Sequence, residues 1–268
     1  MDFAQLATFQ AVVDSGSFEA AARQLHVTPS AVSQRIKALE RSVGQVLVRR
    51  AKPCVATPAG EALVRFAGQV ALLEREALSQ ARDGTRVSIV VNADSLLTWF
   101  LPALAEVPGP QYELHTDDQD YTADLLRSGT AMAAVTADHV AVQGCRIESL
   151  GAMRYLAVGR PGADAMIVYN RKDQLQHRFL ASIGLSADAP IHYVPAASAF
   201  VEAIRLGLGW GMVPSTIALP GIAAGHYVQK HTDTWLDVPL YWQYWRIGSV
   251  VLEELTAAVR TAAVSALI

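Results

Sequence analysis

Cysteine is scarce in this chain: Cys54 and Cys145 are its only two in 268 residues. They lie far apart, and neither has a His or Cys at ligand spacing, which argues against a disulfide framework and a zinc site. No metal and no cofactor is expected. Charged residues are also few, at 18%, against 51% hydrophobic, a balance that excludes a disordered chain and points to a globular one. Long apolar runs are missing too. The longest stretch, 95–107, contains Pro102 and Glu106 and falls well short of the roughly 20 residues that span a bilayer. Met1-Asp2 opens an amphipathic segment in place of a basic leader with an apolar run, so no targeting signal is expected and the compartment is taken as cytoplasmic. Catalytic constellations are lacking as well. None of the seven histidines stands beside a Ser or Cys in a nucleophile motif. The run Gly207-Leu208-Gly209-Trp210-Gly211 looks like a dinucleotide loop, but it follows a helix and precedes a strand, the reverse of the order that aims amides at a pyrophosphate. It reads as a glycine turn, and the protein is not expected to be an enzyme.

What is present is an uneven charge distribution. The chain carries a net −3, yet residues 23–52 hold seven bases (Arg23, Arg35, Lys37, Arg41, Arg49, Arg50, Lys52) against the single acid Glu40. A basic patch on an acidic chain is a phosphate-binding footprint or a solvated face, and periodicity favours the first. Phe3, Leu6, Phe9, Val12 and Val13 predict a helix over 3–14, ended by Ser15-Gly16. Ser17 caps a short Ala-rich helix over 18–25. Thr28-Pro29 supplies an N-cap followed by proline at the first helical position, where its missing N–H costs nothing. On this third helix Val32, Ile36, Leu39 and Val43 form an apolar stripe, and Ser30, Ser33, Gln34, Lys37 and Arg41 share the opposite face. That pattern suits a recognition helix, whose apolar side packs inward while its N-terminal side chains reach base edges. Residues 46–56, with the basic tip Arg49-Arg50-Ala51-Lys52-Pro53, read as a β-hairpin wing that contacts flanking phosphates.

Residues 9–60 resemble the winged helix-turn-helix of LysR-type transcriptional regulators. The similarity rests on Gly16-Ser17-Phe18, Ala20-Ala21-Ala22, Leu25, Pro29-Ser30-Ala31-Val32-Ser33, Ile36, Leu39-Glu40, Gly44 and Thr57-Pro58-Ala59-Gly60. It implies that 29–43 is the recognition helix and that Thr57 caps a long linker helix running to about residue 82. The residues agree, since Leu63, Phe66, Val70, Leu73 and Ala77 repeat in steps of three and four. That stripe fits a two-stranded dimer seam or an intramolecular core, and the dimer is preferred because two-fold binders read two half-sites. The expected DNA-contacting set is Arg23, Thr28, Pro29, Ser30, Ser33, Gln34, Arg35, Lys37, Arg49, Arg50 and Lys52, with Ser33, Gln34 and Arg35 reading sequence.

Beyond Asp83-Gly84-Thr85 strands alternate with helices, the mark of a parallel α/β sheet. Strands are predicted at 87–91, 112–116, 131–135, 146–150, 155–158, 166–169, 192–195, 212–213 and 239–244. Helices are predicted near 95–104, 121–128, 174–183, 198–206 and 249–264. This half resembles the two-lobed, periplasmic-binding-protein-like effector domain of the same family. The implied organisation is an all-α winged helix-turn-helix domain over 1–58, a linker helix over 59–84, and an α/β effector domain over 85–268. Lobe I takes about 85–158 plus the C-terminal part, and lobe II about 159–235. The segment between Val158 and Met166 is short for that family, which has an additional helix there.

In an open α/β sheet, ligands collect where strands end and helices begin. Asn92-Ala93-Asp94-Ser95 ends the first strand, which places Ser95 to hold a carboxylate, with Ser198 in that part from lobe II. Asp117, Asp118 and Asp120 concentrate carboxylates beyond the second strand and suit a cation. The candidate effector set is Asp94, Ser95, Asp117, Asp118, Asp120, Thr136 and Ser198, although helix capping explains Asp94 and Asp120 equally well. Segments 92–104, 169–173 and 239–242, with the Asp-rich run 117–120, resemble the branch of these regulators that governs lysine and arginine export. The resemblance implies a basic amino acid, lysine or arginine, as effector, an exporter gene as target, operator DNA as partner, and a homodimer or homotetramer, with RNA polymerase a further candidate partner. The alternatives are an architectural or repressor protein whose α/β half serves oligomerisation only, and an enzyme with a DNA-binding appendage.

Overall fold

The computed structural model describes residues 1–79, 86–117, 122–186 and 188–268, with side chains described except at 75–79, 117 and 122–124. Three helices open it, α1 (Phe3–Ser15), α2 (Phe18–Gln24) and α3 (Pro29–Val43). Local chemistry sets each boundary. Asp2 and Gln5 form a reciprocal capping box on α1, and Gly16 ends it in the left-handed region at φ 63°. Ser17 and Thr28 accept the amides of Ala20 and Ala31, and Gly44, at φ 76°, closes α3. Phe9, Val12, Ala21, Ala22, Val32, Ile36 and Leu39 pack together with Leu47, Val48 and Val64. Two apolar side chains depart from the expected stripes: Phe3 is 72% exposed and Val43 39% exposed, because each sits at a helix end beyond the reach of the other two helices.

The wing strands β1 (Val48–Arg49) and β2 (Val55–Ala56) pair antiparallel, Val48 opposite Ala56. Glu40, the one acid of the basic segment, accepts the Leu47 amide at 3.0 Å and so ties α3 to the wing. Thr57 accepts the Gly60 amide at the start of the linker helix α4 (Pro58–Ser79) and donates to the Val46 carbonyl. Gly60 permits the close crossing there: a Cβ would lie 2.2 Å from the Leu47 carbonyl oxygen. One side of α4 faces its own chain, where Val64 joins the helical core, Leu72 joins the α/β core, and a Cβ on Gly68 would meet the Trp245 ring at 2.7 Å.

The α/β part builds β3 (Arg86–Asn92), α5 (Ala93–Ser95), a π-helical turn (Leu96–Phe100), α6 (Leu101–Ala105), β4 (Gln111–Asp117), α7 (Thr122–Arg127) and β5 (Ala133–Thr136). There follow β6 (Cys145–Gly159), β7 (Met166–Val168), α8 (Leu175–Ser182), β8 (Ile191–Tyr193), α9 (Ala197–Leu206) and β9 (Trp210–Pro214). The chain ends with α10 (Ser215–Ala223), β10 (Val228–Gln229), β11 (Leu236–Trp245) and α11 (Val250–Ala266). The strands run in the order β4-β3-β5-β11-β6-β9-β7-β8, with β10 also on β6.

This sheet is mixed where alternation predicted a parallel one. β3 is parallel to β4 and β5, and β7 is parallel to β8 and β9, but β6 and β11 run antiparallel to each other and to their neighbours. The strands expected at 146–150 and 155–158 are one strand, β6, which crosses from one lobe to the other beside β11. Gly151, at φ 109°, carries it through a bulge, against which the C-terminal Ile268 exchanges two backbone hydrogen bonds with Ala152. Trp242 and Trp245 are buried in the core, and the Trp242 indole donates to Thr256 of α11 at 3.0 Å. The aromatic run on β11 is therefore interior. The glycine run over 207–211 is a packing device: Gly207 caps α9, and a Cβ on Gly209 would lie 2.3 Å from the Ala165 carbonyl oxygen.

Candidate functional site

The basic surface is built by α3 and the wing. Pro29, Ser30, Gln34 and Lys37 are exposed along α3, and Ser33 is half-buried beside them. Thr28, exposed, is engaged as the cap, its hydroxyl also 2.9 Å from that of Ser30. Arg23 is exposed in the last turn of α2, and Arg49, Arg50 and Lys52 are exposed in the wing. Two arginines are held by the protein itself. The Arg35 guanidinium donates to the Thr8 hydroxyl of α1 at 3.3 Å, which turns it away from the Gln34 side of the helix. Arg50 lies over the Phe18 ring, 4.8 Å from its centroid, and so braces the wing against α2.

A second feature is a cleft of about 520 Å³ between the two lobes. Asn92, Ala93 and Asp94 line it from lobe I, and Tyr169, Asp173, Gln176, Ala197, Phe200 and Met212 are among the residues that line it from lobe II. The Asp173 carboxylate is occupied by the amides of Tyr169 and Leu175. Asp94 accepts a hydrogen bond from the hydroxyl of Tyr155, on the crossing strand β6, at 2.8 Å. Gln176 donates its amide N–H to the Ile167 carbonyl, which leaves Oε1 buried without a hydrogen-bond partner among the described residues; Asn92 Oδ1 is in the same condition. The buried atoms the cleft leaves unsatisfied are therefore acceptors.

The structure rearranges the expected effector set. Asp94 lines the cleft, but Ser95 does not: α5 begins at Ala93, two residues early, which rotates Ser95 into the interior with its hydroxyl unpartnered among the described residues. Ser198 is exposed one position beyond Ala197, and Thr136 is buried, its hydroxyl accepting the Asp138 amide at 3.0 Å. Asp118 and Asp120 lie outside the described residues, as does the side chain of Asp117. Reasoning from sequence missed Tyr155 and Gln176. A signal for Gln176 existed, because it interrupts the buried stripe Leu175, Phe179, Leu180 on α8 with an amide.

Residues 3–61 match the bacterial regulatory helix-turn-helix proteins of the lysR family. The HTH-type transcriptional regulator LysG of Mycobacterium tuberculosis is 46% identical over 285 residues, covering 98% of this chain and 94% of that protein. The chain belongs to the lysR family. It is a helix-turn-helix transcriptional regulator and not an enzyme. Its fold matches the crystal structure of ArgP from Mycobacterium tuberculosis with a TM-score of 0.92 and 44% identity, over 100% of this chain and 99% of that one. The lysine export transcriptional regulatory protein LysG of Corynebacterium glutamicum is 41% identical over 288 residues, 98% of each chain. A full-length LysG structure from that organism with its effector Arg bound matches with a TM-score of 0.85 and 40% identity, over 100% of this chain and 99% of that one. No helix among the described residues is long and apolar enough to cross a membrane.

Proposed function

We propose that this regulator binds operator DNA as a homodimer or a pair of dimers, responds to lysine or arginine held in the inter-lobe cleft, and controls an amino-acid export gene in the cytoplasm. In this reading residues 1–58 contact DNA, 59–84 pair the protomers, and 85–268 sense the effector, with RNA polymerase as a further partner. The observation that carries the effector assignment is that the unsatisfied buried atoms of the residues lining the cleft are acceptors, beside the Asp94 carboxylate. Asn92 Oδ1 and Gln176 Oε1 are buried acceptors without donors, and Asp94 adds a carboxylate. Guanidinium and ammonium groups are donors only, so they complement such a surface, and each buried acceptor left unmatched costs about 1–3 kcal/mol. The arginine effector of the LysG structure agrees with that chemistry.

Calorimetry on the full chain with arginine, lysine, citrulline and leucine tests the reading. Citrulline keeps arginine's shape but replaces the guanidinium with a neutral ureido group that points a carbonyl at those acceptors. It should bind at least about tenfold more weakly than arginine. Equal affinity for arginine and citrulline, or for arginine and leucine, would overturn it.

On the DNA side, Gln34 is exposed on α3, where it can form a bidentate pair with a base, and Gln34→Ala should relax preference at one or two base pairs by about 1–3 kcal/mol in a binding-site selection. Arg49→Ala should weaken specific and random DNA alike and flatten the salt dependence by about one unit. Arg50→Ala should in addition loosen the wing, because its guanidinium stacks on Phe18. An unchanged selected site with Gln34→Ala would show that the base-reading face lies elsewhere.

A further inference from the structure

A second cavity, of about 770 Å³ and open to solvent, lies in lobe I where the ends of β6 and β11 meet α11. Its charged lining is mainly arginine: Arg146 from β6, Arg246 just after β11, and Arg260 from α11, with Glu253 also present. Arg260 is already engaged. Its guanidinium grips Glu148 in a two-point pair at 2.6 and 2.7 Å, and the Tyr244 hydroxyl donates to the same carboxylate at 2.7 Å. That network satisfies Glu148 and holds its carboxyl below the ordinary range, chiefly through the Arg260 contact.

Arg146 and Arg246 are in a different condition. Both are exposed, and among the described residues neither has a carboxylate within 4.0 Å, although Arg146 meets the Tyr244 hydroxyl and its charge helps to hold the Glu148 carboxyl low. Arg146 stands opposite Tyr244 on the β6–β11 ladder, so its root is fixed by the sheet. Gly248, in the lining, precedes the first turn of the 17-residue α11, whose dipole adds positive potential at that end. Three guanidinia around one cavity outnumber the carboxylates beside them, Glu148 and Glu253, and the two that make no close ion pair, Arg146 and Arg246, are placed to take an oxyanion.

We propose that this cavity is a second ligand site, taking a small anion with carboxylate or phosphate groups, opposite in charge to the ligand of the inter-lobe cleft. Arg146 and Arg246 are its recognition residues, and the Arg260–Glu148–Tyr244 network sets its wall. Carboxylate and phosphate sources are separated by using citrate and inorganic phosphate as probes. Calorimetry on the full chain, at fixed ionic strength and with no DNA, should show saturable binding of one of the two at one per chain. In the double variant Arg146→Gln/Arg246→Gln that affinity should fall roughly tenfold to a hundredfold, with circular dichroism unchanged. The wing variant Arg49→Gln/Arg50→Gln should bind the anion as the native protein does. The single variant Arg246→Gln, at an exposed position, keeps the test open if the double variant does not fold, and should weaken binding on its own. Absence of saturable binding for both anions, full affinity in either cavity variant, or loss confined to the wing variant would overturn the assignment.

Discussion

Phe66→Glu should convert the protein from dimers into monomers and remove most of its operator affinity. In the single chain Phe66 and Leu73 are each 41% exposed and Val70 is half-buried, while Val64 and Leu72 on the other side of α4 are covered. Leu63 is half-buried against the helical core, and the side chain of Ala77 is not among those described. The helix therefore uses one face within its own chain and leaves an apolar stripe that a partner helix would cover. A glutamate there would carry an unpaired carboxylate into each half of an apolar seam, which is strongly unfavourable. Because two half-sites are read by two protomers, a monomer should lose much of the roughly 10³- to 10⁷-fold preference for its operator over random DNA. Sedimentation at micromolar concentration and a gel-shift titration measure both effects. A mass equal to that of the native protein would reject the seam.

Asp94→Lys should abolish effector binding. Asp94 is the acid that lines the cleft with its carboxylate held by the Tyr155 hydroxyl, and a lysine there sets an ammonium against the ligand's own cation. Like charges in such a setting cost several kcal/mol, which corresponds to roughly a thousandfold in affinity or more. Asp94→Asn keeps an oxygen to accept the Tyr155 hydroxyl and removes only the charge, so its loss should be roughly tenfold to a hundredfold. Both variants should retain DNA binding in the absence of effector, since the helical core of the N-terminal domain is formed without the cleft. Calorimetry with arginine on the three proteins checks the order; native affinity in Asp94→Lys would remove Asp94 from the site.

Some contacts were beyond the reach of a one-dimensional reading. Arg35 shares the basic composition of its neighbours, and only the packing of α3 on α1 brings it to Thr8. Ser95 was misplaced by two residues of helix start, enough to turn a side chain through about half a circle at 100° per residue. Tyr155 reads as an ordinary strand aromatic, and its partner Asp94 lies 61 positions away. The arginines of the second cavity, Arg146, Arg246 and Arg260, come from separate elements and form no motif along the chain.

What the sequence by itself determined was whatever depends on neighbours a few residues apart. The caps Ser17 and Thr28, the terminating Gly16 and Gly44, the buried stripe Val32, Ile36, Leu39 and the basic wing act over one or two helical turns, so their spacing carries their meaning. The tertiary structure alone decided the course of β6 as one strand through both lobes, the inward turn of Ser95, and the meeting of Asn92, Asp94 and Gln176 around one cleft. Those outcomes depend on strand pairing and close packing between distant segments, where the free energy of a contact belongs to both partners and neither segment encodes it alone.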